Sequence, residues 1–161
     1  MGDERIEVKP IDVQVHITNG MPAFTMVGLP DKAVGESRER VRAALSAMGL
    51  ALPPKRVTIN LSPADVTKEG GHYDLPVALG LLAALGAVPQ DALDRFVAVG
   101  ELALDGAIAS VAGVLPAAIG AAARGRGIIC PPDQGGEALW AGDNEGIAPP
   151  NLLAPVNHFS G

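Results

Sequence analysis

The sequence is poor in aromatic residues and in cysteine. Phe, Trp and Tyr make up 3 % of the 161 residues, although 48 % of the chain is hydrophobic. The core must therefore be built mainly from Ala, Val, Leu and Ile. Cys130 is the single cysteine, so an internal disulfide is excluded and a reducing, cytoplasmic setting is expected. The "GIICPP" stretch around it predicts a buried strand and an inert core thiol.

The chain also lacks net positive charge and long apolar runs. Its formal charge is −6, which makes it a poor electrostatic binder of nucleic acid or of an anionic membrane. The longest helix-like apolar run, residues 75–88, is too short to cross a bilayer and contains two glycines. The polar N-terminus does not resemble a signal peptide. Residues 1–5, "MGDER", are open to interpretation as an expression remnant.

Several catalytic and cofactor motifs are missing. No stretch fits the phosphate-binding pattern G-x-x-x-x-G-K-[ST], and G-x-G-x-x-G is also absent. The last lysine is Lys68, and no serine occurs between Pro63 and Ala109. The histidines are scattered without metal-ligand spacing, and His72 is interpreted as a solvated loop residue. We therefore expect no cofactor and no metal in this chain.

Hydrophobic periodicity predicts a single α/β or α+β domain over residues 1–161. "IDVQVHIT" alternates as a strand with one wet face, Asn19–Gly20 predicts a hairpin, and "AFTMVGL" is its returning strand. Further strands are predicted at "RVTINL", "RFVAVGELAL", "GIIC" and "GIAPP", and a terminal helix at "NLLAPVNHF". Val34, Val41, Leu45 and Met48 form one stripe of a helix that ends at Gly49. We expect a mixed sheet with its helices mainly on one face, partly open on the other.

The stretch "KEGGHYDLPVALG", residues 68–80, joins a glycine pair to an apolar helix that should be buried. Such a junction can bind an anion at the helix N-terminus, hold a nucleophile, or turn the chain. Asp74 is predicted to cap the helix with its own carboxylate, which is favoured over anion binding at Gly70 and Gly71.

The first helix carries arginines that can be interpreted in two ways. Arg38, Arg40 and Arg42 are candidate contacts to nucleic acid or to a partner subunit, but Glu36 and Glu39 between them favour a solvated face. Glu36 and Arg40 also have the spacing of a helical ion pair. Glu101 is interpreted as one half of a structural ion pair with an arginine.

Three stretches resemble the N-terminal domain of the ComM/YifB family, the Mg-chelatase-like AAA+ ATPases: "GMPAFTMVGLPDKAVGESRERVRAAL", "KRVTINLSPADVTKEGGHYDLPVALGLLAALG" and "VGELALDGAIASVAGVLPAAIGAA". The resemblance implies a fold similar to the Lon proteolytic domain and to a ribosomal-protein domain. It also implies that an AAA+ motor with ATP and Mg sites follows in the full-length protein. The family's best-known member is a hexameric helicase that drives DNA branch migration during natural transformation.

The likeness to Lon extends to the shape of its catalytic turn but not to its catalytic residues. His72, Tyr73 or Asp74 stands where Lon has its serine, and Leu115 or Pro116 stands where Lon has its lysine. The resemblance thus implies a non-catalytic assembly or interaction domain whose partners are other subunits and, through the full-length protein, DNA. The open alternatives are a degenerate hydrolase using Asp74 or Glu69, and a module that contacts DNA directly. The candidate interaction residues are Lys68, Glu69, Gly70, Gly71, Asp74, Arg38, Arg40 and Arg42.

Overall fold

A computed structural model describes residues 12–28, 31–62, 73–111, 114–134 and 146–160. The helices in these ranges are α1 (Asp31–Ala47), α2 (Asp74–Ala84), α3 (Gln90–Leu93), α4 (Val114–Ala123) and α5 (Leu153–Ser160). The strands are β1 (Asp12–Thr18), β2 (Ala23–Val27), β3 (Arg56–Ser62), β4 (Phe96–Ala98), β5 (Glu101–Leu102), β6 (Ile108–Ala109), β7 (Gly127–Ile129) and β8 (Gly146–Ile147). The α/β class predicted from the sequence is confirmed.

The first sheet has the strand order β1-β3-β2, with β3 in the centre. β3 pairs antiparallel with β1 and parallel with β2. The predicted hairpin between β1 and β2 is therefore wrong, although the chain does turn at Asn19–Gly20 and return as β2. The Asn-Gly signal predicts a local reversal, but it cannot show that a later strand is inserted between the two arms.

Helices α1 and α2 cover one face of this sheet. α2 packs against β1, and α1 packs against β2 and α2. The buried side chains of β3 are the ones that its alternation predicts, namely Val57, Ile59 and Leu61. On the opposite face Gln14, His16 and Asn60 are exposed, which confirms the prediction of a sheet with one open side.

The segment predicted as one long strand, "RFVAVGELAL", is split into β4 and β5, which belong to different sheets. The break lies at Gly100, which packs against α2. Its carbonyl accepts a hydrogen bond of 3.0 Å from the amide of Leu75. A Cβ at this position would lie 2.9 Å from Ile108 and 3.3 Å from Leu75, so only glycine allows this approach.

The remaining strands form two small sheets, β4-β7-β8 and the hairpin β5-β6. The mixed sheet predicted from the sequence is confirmed by β1-β3-β2, and the described residues form two further sheets around a shared core. The buried strand β7, the edge strand β8 and the C-terminal helix α5 occur where the sequence predicts them. Cys130, after β7, is buried in a smaller apolar cluster with Val99 and Ile128, as predicted.

Candidate functional site

The junction that precedes α2 ends at Tyr73, which is the N-cap residue of the helix. Asp74 is the first helical residue, and its side chain is 1 % exposed. The next amide, that of Leu75, donates to the carbonyl of Gly100. The start of the helix is therefore held by backbone from the β4–β5 segment.

The carboxylate of Asp74 accepts four hydrogen bonds. Oδ1 accepts from Ser37 Oγ at 2.6 Å and from Arg40 Nη2 at 3.2 Å. Oδ2 accepts from Arg40 Nε at 2.5 Å and from the amide of Leu102 at 3.1 Å. We call Asp74, Ser37, Arg40 and the Leu102 amide the Asp74 cluster. It ties α1, α2 and β5 together at one point.

Two members of the cluster come from α1, because residues three apart lie on the same side of a helix. Ser37 is buried and the Arg40 side chain is 22 % exposed. The hydrogen bond to Asp74 raises the pKa of the Arg40 guanidinium above its usual value, and burial opposes that shift. The charges of Asp74, Glu101 and Glu36 also favour the protonated form. Arg40 therefore stays positively charged at every pH at which the protein is folded.

The prediction that Asp74 caps its own helix is wrong. The N-cap position belongs to Tyr73, without a side-chain capping bond, and the Asp74 carboxylate is directed to α1 and β5. Burial explains the difference: a carboxylate inside the core needs a cation and several donors, whereas a surface cap needs only backbone amides. Glu101 was expected to form an ion pair with an arginine; its charge favours the protonated form of Arg40, but the ion pair that Arg40 forms is with Asp74.

This arrangement leaves little room for Asp74 to act on a substrate. A nucleophile or general base must reach the atom that it attacks or deprotonates. Both oxygens of Asp74 are already hydrogen-bonded, and the side chain is 1 % exposed. The geometry is that of a structural ion pair.

The other two candidate arginines also contact their own domain. Arg38 Nη1 donates to the carbonyl of Phe24 at 3.1 Å. The guanidinium of Arg42 lies 5.6 Å from the centre of the Phe24 ring, within cation–π range. Lys68, Glu69, Gly70 and Gly71 lie outside the described residues, as does His72.

Ser37 is the functional residue that the sequence analysis missed. It occupies the same helical stripe as Val41 and Leu45, at i, i+4 and i+8, and all three are buried. A serine within an apolar stripe indicates a buried polar partner. That signal was present in the sequence, but the identity of the partner depends on the packing of α2 against α1.

We expect Ser37→Ala to lower the free energy of unfolding by about 1–2 kcal/mol. The variant removes a donor to a buried carboxylate without creating a large cavity. Urea titration of both proteins measures the difference. Ser46→Ala is the matched control, because Ser46 is an exposed serine on the same helix, and a change within about 0.5 kcal/mol is expected there. Equal losses in the two variants would contradict the assignment.

Tyr73 provides a pH test of the same junction. Burial raises the pKa of its phenol above the usual 10.0. Below pH 10 the phenol is neutral in both states, so its effect on stability is constant. Above pH 10 the unfolded chain loses the proton first, so the free energy of unfolding falls until the pH passes the folded-state pKa.

Tyr73 is the single tyrosine, so tyrosinate absorbance reports on it alone. We expect the titration midpoint to lie above 10.0 in the folded chain and to return to about 10 in denaturing urea. Tyr73→Phe should reduce the alkaline loss of stability. Identical midpoints in both conditions would show that the phenol is solvated.

Within the ranges given above, no group of three or more His, Cys, Asp or Glu side chains is placed to hold a metal ion. Over the same ranges, no helix has the length and apolarity required to cross a membrane.

Comparison with known proteins identifies the family. Residues 13–134 match the family described as subunit ChlI of Mg-chelatase, and the chain belongs to this family. The matched range contains α1, α2 and the whole Asp74 cluster.

The relatives confirm the resemblance to ComM and YifB. The chain is 49 % identical over 128 residues to the uncharacterised protein YifB of Escherichia coli, covering 80 % of this chain and 25 % of YifB. It is 40 % identical over 156 residues to the competence protein ComM of Haemophilus influenzae, covering 97 % of this chain and 31 % of ComM. An uncharacterised protein of Mycobacterium tuberculosis is 41 % identical over 129 residues. The chain thus spans about a quarter to a third of the length of the curated relatives it matches.

Proposed function

We propose that this chain is a non-catalytic assembly or interaction domain of a Mg-chelatase-like AAA+ ATPase. The observation that carries the proposal is the Asp74 cluster. At the helix start where Lon has its catalytic serine, the one acidic side chain described is 1 % exposed and saturated with hydrogen bonds. It stabilises the junction, and a domain that is built to pack against neighbours requires such a fixed shape.

The proposal extends to the full-length protein. There the domain would precede an AAA+ motor that uses ATP and Mg, forms a hexamer in the cytoplasm and acts on DNA, as the likeness to ComM suggests. The contribution of this domain would be to pack against neighbouring subunits or to guide DNA toward the motor. In this proposal the resemblance to the Lon proteolytic domain, which the sequence implies, does not extend to peptide hydrolysis.

The two alternatives receive less support from the geometry. A degenerate hydrolase would need an accessible Asp74, and the carboxylate is buried. A direct DNA contact would draw on the three candidate arginines, but Arg40 is paired with Asp74 and Arg38 bonds to the Phe24 carbonyl, which leaves Arg42 as the exposed member of the three. The net charge of −6 further disfavours binding along a phosphate backbone.

A competition experiment tests the assembly function. Excess 161-residue chain is added to the full-length protein with ATP, and sedimentation velocity reports the size of the assembly. If the domain packs against its neighbours, the added chain should occupy those contacts and reduce the fraction of full-size assembly. An unchanged distribution at saturating excess would overturn the proposal, and salt-sensitive binding of forked DNA by the isolated chain would favour the direct DNA contact.

A further inference from the structure

A groove of about 380 Å³ lies beside the C-terminal half of α1, between β2 and the segment that leads into β3. Its volume is within the range of about 300 to 1,000 Å³ that is typical of binding clefts. The walls are largely apolar and include Phe24, Leu50, Leu52 and Pro53. Met21, which precedes the lining residue Pro22 in the sequence, is a large apolar side chain that is 84 % exposed. An exposed apolar surface of this kind is typical of an interaction site.

Among the described residues, the charged ones that line the groove are Arg42 and Lys55, and none of the described lining residues carries a carboxylate. This is a local excess of positive charge on a chain whose net charge is −6. An occupant that complements the groove therefore combines an apolar side chain with a single negative charge. A polyphosphate is a poor match, because two cations must offset many charges and the walls offer aliphatic groups for contact.

The same chain presents such a combination at the β5–β6 hairpin. Leu104 and Asp105 form the tip, Leu104 is 61 % exposed, and Asp105 is exposed. Glycine, proline and small polar residues usually occupy turns, so the turn itself does not explain the leucine.

The tip has a fixed conformation. The amide of Ala103 donates to Ala107 O at 2.9 Å, and the amide of Ala107 donates to Asp105 Oδ1 at 3.0 Å. Leu152 N donates to Gly106 O at 2.8 Å and anchors the tip from a second segment. A rigid tip loses little entropy on binding, which favours its use as a docking element.

The tip cannot enter the groove of its own molecule, because α1 separates them. Gly106 packs near Ala44, which is buried on the inner side of α1. Arg42 and Ser46 line the groove and are exposed on the other side. The two complementary surfaces are thus on opposite flanks of one helix.

We propose that the groove of one copy of this chain receives the Leu104–Asp105 tip of a second copy. Leu104 packs on the apolar walls, and Asp105 lies near Arg42 and Lys55. The contact joins two different surfaces, so it is head-to-tail and leads to a ring or a filament of copies. This inference rests on the proposed assembly function and specifies one of its contacts.

Disulfide trapping tests the contact directly. Two single variants of the 161-residue chain, Leu104→Cys and Ser46→Cys, are mixed at high concentration under mild oxidation. Cys130 is buried and stays in both proteins. We expect a disulfide-linked heterodimer between positions 104 and 46, identified by peptide mapping. The control pair replaces Leu104→Cys by Leu153→Cys, since Leu153 is 46 % exposed and lies on another element. Trapping no greater than in the control pair would overturn the inference.

The dissociation constant for self-association, measured with variants that carry no introduced cysteine, tests the same contact independently. Leu104→Ser should raise the dissociation constant of the copies about tenfold or more, because it removes a buried leucine from the contact. Asp105→Asn keeps an oxygen that can accept from the Ala107 amide but removes the charge. We expect the dissociation constant to rise about two- to fivefold, as is typical for the loss of an exposed ion pair. Leu153→Ser, the matched control, should leave the dissociation constant unchanged.

The outcomes separate this contact from the assembly function. If the added chain disrupts the full-length assembly but a double variant that alters both surfaces, Leu104→Ser with Lys55→Glu, disrupts it equally well, the domain assembles through another surface and this inference is wrong. If the added chain has no effect on the assembly, the proposed function itself fails. Binding of phosphate-rich DNA in the groove, shown by loss on Lys55→Glu, would also overturn the inference.

Discussion

Asp74→Asn is expected to lower the free energy of unfolding by about 3 kcal/mol. The amide has no charge to offset Arg40, and its NH2 group cannot accept from the donors that now surround the carboxylate. Removal of one partner from a buried ion pair typically costs about 3–5 kcal/mol, and the partial exposure of Arg40 places the estimate at the lower end. Urea denaturation measures the loss.

Asp91→Asn is the control for this substitution. Asp91 is exposed in the first turn of α3, so the same chemical change should alter stability by no more than about 0.5 kcal/mol. A small, equal effect at both positions would show that the Asp74 cluster does not stabilise the junction. That result would also remove the observation on which the non-catalytic proposal depends.

Gly28→Ala is expected to destabilise the chain by about 3 kcal/mol or more. Gly28 follows β2 with a φ of +106°, in a region that residues with a Cβ rarely adopt. A Cβ there would clash with the carbonyl oxygen of Leu61, so β2 and β3 would have to move apart. Backbone strain at Gly28 and the clash with β3 both destabilise the same contact between the end of β2 and the end of β3.

Gly35→Ala tests the same substitution at a position where an added Cβ would meet no neighbouring atom. Gly35 lies within α1, and a Cβ at this position would have no neighbour within 4 Å. Alanine is the better helix former, so this variant should be more stable by up to about 1 kcal/mol. Thermal or urea unfolding of both variants gives opposite signs if the account is correct. Similar losses would indicate that β2 and β3 are not held at the described distance.

Helix α1 contributes residues to both the Asp74 cluster and the flank next to β2. Its inner side carries Ser37 and Arg40 to the Asp74 cluster, whereas Arg38 and Arg42 lie on the flank next to β2. The sequence pattern favoured a single solvated face for the three arginines. The structure divides them, because a step of two residues along a helix turns the side chain by roughly 200°.

The predictable parts of the fold were those that depend on local periodicity. The alternation of Val57, Ile59 and Leu61 and the apolar surface of α2 gave the correct elements and the correct buried faces. Strand neighbours were not predictable in the same way, since the insertion of β3 between β1 and β2 depends on contacts distant in sequence. The break at Gly100 also depends on a distant contact, with Leu75 at the start of α2.

The candidate site was also predictable in its local features but not in its contacts between distant residues. The sequence singled out Asp74 and Arg40 as residues with special roles, but it assigned them to a helix cap and to an exposed face. Their pairing required knowledge of how α1 packs against α2. Ser37 could have been noticed from its position in an apolar stripe, although only the structure identifies its partner.

The most direct test of the central claim is covalent labelling of the 161-residue chain with reagents that capture an active nucleophile. Epoxide probes for carboxylates and fluorophosphonate probes for hydroxyl groups are incubated with the folded chain, and intact mass followed by peptide mapping locates any adduct. A non-catalytic junction predicts no adduct at residues 68–74 beyond that found in the denatured chain. A stoichiometric adduct on Asp74 in the folded chain alone would contradict the account.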